Sequence, residues 1–207
     1  MKLDWKKTDK AWYLPGTEPE FVTVPAFRFF AIRGAGDPNG PEFPEYMQVL
    51  YALAYAVRMS PKSGTAPAGY REYSVFPLEG VWDVSEEAKA RGGSEISKSD
   101  YVFDLMIRQP DFVTEEYALS VIERTKARKP LPRLDRARFE VLEEGPCVQM
   151  THVGPYDAEP ASFARMEAYC ESRGLRRLSK VHREIYLSDP RKTAPEKLRT
   201  VLRFKVK

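Results

Sequence analysis

Residues 182 to 188 read His-Arg-Glu-Ile-Tyr-Leu-Ser, a β-type stretch with a carboxylate where an apolar residue would be expected. Side chains alternate across a strand, so Ile185 and Leu187 share a side with Val181, while His182, Glu184 and Tyr186 share the other. A sheet with helices on one face should bury Ile185 and Leu187 beneath them, which turns Glu184 and Tyr186 to the opposite face. There Glu184 has two readings. It is a solvated carboxylate paired with Arg183, Arg203 or Lys205, an arrangement of little energetic consequence. Alternatively it is the charged group of a binding face. Rings outside the apolar helix stripes support the second reading: Tyr70, Tyr73, Trp82, Tyr101, Tyr156 and Tyr186. Several rings around one carboxylate suit flat, cationic or electrophilic small molecules, through stacking and cation–π attraction.

Other chemistry-bearing patterns are weaker. "GAGDPNG" (34 to 40) lacks the glycine spacing of a phosphate or dinucleotide loop and reads as a strand-end turn. His152 and His182 are the only histidines and have no evident third ligand, so no metal site and no cofactor are expected. Cys147 and Cys170 lack CxxC spacing and lie near no Cys-His or Ser-His motif, which makes them core thiols in a reducing compartment. "TAPE" (193 to 196) has the spacing of a capping box.

The 207 residues carry 33 Lys plus Arg against 30 Asp plus Glu, a formal net charge of +3, with no long run of one sign. Neither a nucleic-acid patch nor a membrane surface is indicated. The first fifteen residues contain no apolar signal core and no uncharged apolar run approaches about 18 residues, so a cytoplasmic protein, monomer or homodimer, is expected.

Three helices are indicated by period. Residues 43 to 59 give the stripe Met47, Leu50, Tyr51, Ala54 and Val57, with Tyr51, Tyr55 and Tyr169 expected in cores. Residues 114 to 129 begin at Thr114 as N-cap, with Glu115 and Glu116 in the first turn, Lys126, Arg128 and Lys129 at the end, and the stripe Ala118, Val121, Ile122 and Thr125. The third presents Phe163, Met166 and Cys170, with Asp157 as candidate cap and Gly174 past its end. Strands are expected at 27 to 34, 70 to 77, 101 to 110, 146 to 154, 182 to 188 and 197 to 206. Loops 60 to 69 and 85 to 100 are polar, and the second has the length of a mobile segment or lid.

The order strand, helix, strand, strand occurs twice. Laying Gly34 on Gly154 sets Asp37 on Asp157, and Arg71-Glu72 can be laid on Arg183-Glu184 if loop 60 to 69 is an insertion. The expectation is an α+β domain over 1 to 207: two pseudo-symmetric βαββ repeats (about 21 to 113 and 137 to 207) joined by helix 114 to 129, forming an antiparallel sheet with helices on one side.

Motifs spread over most of the chain then carry a resemblance: "GDPN", "LYALAYAVRMS", "YREYSVFPLEGVW", "LMIRQPDFVTEE", "EEGPCVQMTHVGPYDAEPA" and "REIYLSDPRKTAPEKLRTVLR". The sequence resembles the stand-alone branch of the GyrI-like small-molecule-binding family. The resemblance implies a concave ligand groove between two repeats, a hydrophobic or cationic aromatic ligand, and Glu184 at the pocket floor. Some members of the branch are hydrolases that open the cyclopropane ring of DNA-alkylating natural products. For such a reaction Glu184 would be the base on water and Tyr156 or Tyr186 the donor to the developing oxyanion. Trp82, Tyr70, Tyr73, Tyr101 and His152 would contact the ligand. The sequence departs from the branch at Tyr101, Asp83 and Arg183, where Trp, an aromatic and His are usual. A non-catalytic drug-binding protein, with Glu184 as counter-charge, is the alternative, and an inhibitor of a macromolecule the weakest reading.

Overall fold

The computed structural model describes residues 2 to 92 and 96 to 207. Its helices are α1 (Trp5–Thr8), α2 (Lys10–Tyr13), α3 (Phe43–Arg58), α4 (Glu86–Ala90), α5 (Glu115–Arg128) and α6 (Glu159–Ser172). Its strands are β1 (Glu20–Ala35), β2 (Leu78–Val84), β3 (Tyr101–Gln109), β4 (Arg138–Val153), β5 (His182–Tyr186) and β6 (Arg199–Lys205). Strand pairing is antiparallel, and the class is α+β, as the sequence predicts. The chain forms two compact units. One comprises the residues through Leu3 with Phe27–Leu142, the other Asp4–Ala26 with Glu143–Lys207.

In the first unit β3 is central, pairing with β1 from Ala35↔Val102 to Arg28↔Gln109 and with β2 from Val84↔Tyr101 to Leu78↔Ile107. Helix α3 packs against β3 and α5. It buries Tyr46, Val49, Leu50, Leu53, Ala54 and Val57, a stripe rotated from the expected one, and leaves Tyr51 and Tyr55 38% and 53% exposed. Apolar residues nearly encircle this helix, so period alone permits either phase. Packing against α5 and β3 selects one, and the two tyrosines stay on the exposed side. Helix α5 begins as expected, with the Tyr117 N–H donating to Thr114 Oγ1 at 3.2 Å, and buries Ala118, Val121 and Ile122.

The strand expected at 70 to 77 is absent. That segment is extended chain touching Leu3 by one bridge at Tyr73, and the ladder starts after Pro77, at Leu78. Proline lacks the N–H a ladder requires, so pairing begins beyond it. Glu72 pairs instead with Arg58 at 2.6 Å. Within the expected loop 85 to 100, α4 and a short 3-10 turn at Lys98–Asp100 are formed, while residues 93 to 95 of this expected mobile segment or lid lie outside the described residues.

In the second unit β6 is central, pairing with β4 from Cys147↔Lys205 to Val153↔Arg199 and with β5 from Arg183↔Arg203 to Tyr186↔Thr200. Helix α6 covers one sheet face, burying Met166 and Cys170 against Val148, Met150, Leu202, Phe204 and Val206. Each such side chain stabilises the unit by roughly 1.5–3 kcal/mol. Asp157 does not cap α6, whose N-cap Ala158 has no side-chain bond, and Thr193 makes no capping box, because the short turn Pro195–Lys197 starts from Ala194. The opposite face meets the N-terminal segment. Gln149 donates to the Ala11 carbonyl at 2.7 Å, Thr151 to the Pro15 carbonyl at 2.8 Å, and Arg203 to the Trp12 carbonyl.

The units share one connectivity: the third strand sits between the other two, and the main helix follows the first strand. Their equivalence is offset by two residues from the one expected. The Gly36 N–H bonds the Tyr101 carbonyl and the Gly154 N–H bonds the Leu198 carbonyl. Both glycines have positive φ, 107° and 134°, which other residues rarely adopt. From that anchor Ile32↔Leu105 matches Met150↔Leu202, Trp82 matches Tyr186, and the counterpart of Glu184 is Gly80 rather than Glu72. A Cβ on Gly80 would stand 2.7 Å from Nε1 of Trp82. The first unit therefore has no room for a side chain where the second carries its carboxylate.

Candidate functional site

Residues directly opposite in an antiparallel pair point to the same face. Glu184 lies opposite Leu202, and Leu202 opposite Met150, so Glu184 stands on the face that α6 covers. This reverses the expected assignment. The alternation of β5 is as predicted, with Arg183 and Ile185 on the other side, but the helix lies over Leu202 and Phe204 rather than over Ile185. Arg183, Arg203, Gln149 and Thr151 make up much of the opposite face, where the two arginines form ion pairs with Glu144 and Gln149 and Thr151 bond the N-terminal backbone. That face is polar yet buried, which strand alternation reads incorrectly.

Glu184 is accordingly not a solvated partner of the strand arginines. Arg183 Nε and Arg203 Nη1 both pair with Glu144, at 3.0 and 2.9 Å. Burial alone would raise the Glu144 carboxyl, but the two guanidiniums outweigh it and hold it at about 2. This triad fastens β4, β5 and β6 together.

Glu184 instead joins a cluster at the N-terminal end of α6, its side chain only 12% exposed. Tyr186 Oη donates to Glu184 Oε2 at 2.8 Å, and His182 Nε2 lies 3.1 Å from Oε1. His182 Nδ1 faces the Lys180 carbonyl at 3.2 Å, so the pair with Glu184 is a full ion pair when the ring carries both protons. Phe163 of α6 meets the His182 ring edge-on, with centroids 4.8 Å apart. Tyr156 stands edge-on to Tyr186 at 6.1 Å. Burial first, then the charges of Glu184, Glu159 and Asp189, push the Tyr156 phenol up to about 12, keeping it a proton-bearing donor at neutral pH.

One member of the cluster is unexpected. Glu159, the first residue of α6, is 6% exposed, and its carboxyl is hydrogen-bonded to that of Glu184. Its Oε1 meets no partner among the described residues. Burial is the main cause, and the Glu184 charge the second, of a carboxyl raised to about 9. By sequence Glu159 is an ordinary acidic residue in a helix first turn, and only the strand register of Glu184 brings a second carboxylate to it.

The other expected ligand contacts fall into three groups. His152 shares the face of Tyr186, but its Nδ1 bonds Ser162 Oγ at 2.9 Å and its Nε2 the Pro155 carbonyl at 3.1 Å, pinning the strand-end turn to α6. Trp82 and Tyr101 contact each other in the first unit, centroids 5.9 Å apart, and Trp82 packs further on Phe43 and Phe103. Tyr70 and Tyr73 surround Phe112; Tyr70 donates to the Arg58 carbonyl at 2.7 Å, and Tyr73 is buried, with its phenol raised by burial. Both cysteines are buried, and burial pushes the Cys147 thiol up to about 12, consistent with unreactive core positions. Among the described residues no cluster of His, Cys, Asp or Glu has the makings of a metal site, and no helix is long and apolar enough to cross a membrane.

A duplicated antiparallel α+β framework with a carboxylate, an imidazole and phenols gathered under a helix end defines a small-molecule-binding class of protein. The chain belongs to the GyrI-like small molecule binding domain family, which matches residues 17–207. Two crystal structures of hydrolases from Listeria innocua are similar over nearly the whole chain. One is 39% identical, covering 99% of this chain and 100% of that one, with a TM-score of 0.88. The other is 40% identical, covering 100% of both, with a TM-score of 0.90. The C-terminal domain of EcmrR is 15% identical over 92% of this chain and 97% of that one, with a TM-score of 0.52, a likeness of fold alone. No curated protein matches the chain.

Proposed function

We propose that this protein is a hydrolase of flat, electrophilic aromatic small molecules, with Glu184 as the base that activates water. The carrying observation is a largely buried carboxylate oriented by Tyr186 and His182. A carboxylate offers about four lone-pair sites. His182, Tyr186 and Glu159 engage three, which leaves one to accept from a water. The hydrolase structures about 40% identical to this chain support the reaction class.

The specific reaction proposed is opening of a cyclopropane fused to a conjugated dienone, the warhead of cyclopropanoid DNA alkylators, which makes the role one of detoxification. Glu184 removes a proton from water as the oxygen bonds the ring methylene. The strained C–C bond breaks, and its electron pair passes through the ring to the carbonyl, giving a phenolate. Tyr156, neutral at working pH, hydrogen-bonds that oxygen, and the proton held by Glu184 returns to it, so the net change is addition of one water.

The experiment is incubation with a cyclopropane-bearing alkylator, with the hydrated product followed by mass spectrometry. Wild type should consume it, and Glu184→Gln should be slower by about 10²-fold or more. Equal rates would exclude Glu184 as the base. The acidic surroundings of Tyr156, with Glu184 and Asp189 both acting on it, favour one second reading: sequestration of an aromatic cation without turnover. Calorimetric binding that weakens in Glu184→Gln, with no product, would establish that instead.

A further inference from the structure

We infer that Glu159 is a positioning residue that works as a neutral carboxylic acid, donating its proton to Glu184 so that Glu184 remains the single ionised carboxylate of the site.

A hydrogen bond between two carboxyl groups requires a proton on one of them. Its location follows from the neighbours. Glu184 accepts from Tyr186 at 2.8 Å and lies 3.1 Å from His182 Nε2. Among the described residues no cation lies beside Glu159. It lies deeper, at 6% exposure, and its Oε1 meets no partner among the described residues, where a charge would go unsolvated. The titratable groups around the pair are Glu184, His182 and Tyr186 from β5, with Tyr156 and Asp157 from the turn before α6. Asp157 adds to the negative field at Glu159. Every carboxylate neighbour therefore favours keeping the proton on Glu159, and of the two imidazoles on this face His182 lies against Glu184 while His152, from β4, is bonded to Ser162 and the Pro155 carbonyl.

Two consequences follow. The bond from Glu159 fixes the Glu184 carboxyl from the helix side, complementing Tyr186 and His182 on the strand side. In addition, the site carries one negative charge at neutral pH where two acidic residues suggest two, which suits a neutral or singly cationic aromatic ligand rather than a dication. The first consequence rests, for its catalytic readout, on Glu184 acting as the base; the protonation of Glu159 does not.

The test uses wild type, Glu159→Gln and Glu184→Gln. Glutamine keeps the size and the donor but cannot ionise. Infrared spectra at neutral pH should show the carbonyl stretch of a buried protonated carboxyl in wild type and lose it in Glu159→Gln. A wild-type spectrum without that band overturns the inference, whether or not the protein turns over any substrate. In ring-opening assays Glu159→Gln should lower kcat by less than Glu184→Gln does, and should hold the activity it keeps above pH 9, where wild type declines. A loss in Glu159→Gln as deep as that in Glu184→Gln would also overturn it, by showing that Glu159 itself transfers a proton. Absence of turnover in wild type would sink the proposed reaction while leaving the infrared result to decide Glu159.

Discussion

Tyr186 donates its phenol hydrogen to Oε2 of Glu184, two residues earlier on the same strand, across 2.8 Å. Alternate residues of a strand lie side by side on one face, so β5 supplies both the proposed base and a group that aims it. Tyr186→Phe keeps the ring against Tyr156 and removes only this donor. We expect kcat to fall by roughly tenfold with KM nearly unchanged, the signature of lost orientation rather than lost binding. Steady-state kinetics on the alkylator would show this, and an effect confined to KM would count against it.

The raised carboxyl of Glu159 also sets how stability depends on pH. The folded protein holds a proton here up to about 9, whereas an unfolded glutamate releases it near 4.5. Between those values the native state binds one proton more than the unfolded state, so this residue makes stability fall as pH rises, by at most about 1.4 kcal/mol per unit. Glu159→Gln removes that dependence. Urea titrations at pH 5.5 and 8.5 should show the variant gaining on wild type as pH increases, and parallel curves would contradict the assignment.

Glu144 behaves oppositely. Its carboxyl is held at about 2 by Arg183 and Arg203, below the ordinary value of 4.5, so its stabilisation is complete above pH 4.5 and is lost as pH falls toward 2. Glu144→Gln leaves two buried guanidiniums without their counter-charge. A loss of about 3–5 kcal/mol is expected, measurable by chemical denaturation, with the variant less sensitive to acid than wild type.

Gly80 marks where the first unit departs from the second. A methyl there would meet Trp82 Nε1 at 2.7 Å and Leu105 Cδ2 at 3.1 Å. Gly80→Ala should therefore cost about 1–3 kcal/mol and shift Trp82 emission as the indole is displaced. An unchanged spectrum with wild-type stability would show that the ring moves freely.

Much of this molecule is legible in local pattern. Thr114 announces a helix start because its side chain can satisfy an N–H only there, and the period of Ala118, Val121 and Ile122 marks the buried side of α5. Alternation in β5 groups His182, Glu184 and Tyr186 correctly, and the repeated order of elements reveals the duplication. The misses also have local causes. Proline at 77 displaces β2 beyond the segment whose β-forming residues suggest a strand, and that displacement misaligns Glu72 with Glu184.

What the amino-acid sequence determined by itself is the three long helices and five of the six strands, the sharing of a side by Glu184 and Tyr186, and membership of the family, because periodicity and caps are properties of neighbouring residues. Only the tertiary structure decided which sheet face receives α6. A polar strand face can be buried as well as an apolar one once Glu144 neutralises Arg183 and Arg203 and the backbone of residues 11 to 16 meets Gln149 and Thr151. That choice placed Glu184 beneath the helix end and brought Glu159, 25 residues away in sequence, into hydrogen-bonding contact with it. Such a contact depends on long-range register, which no local pattern encodes.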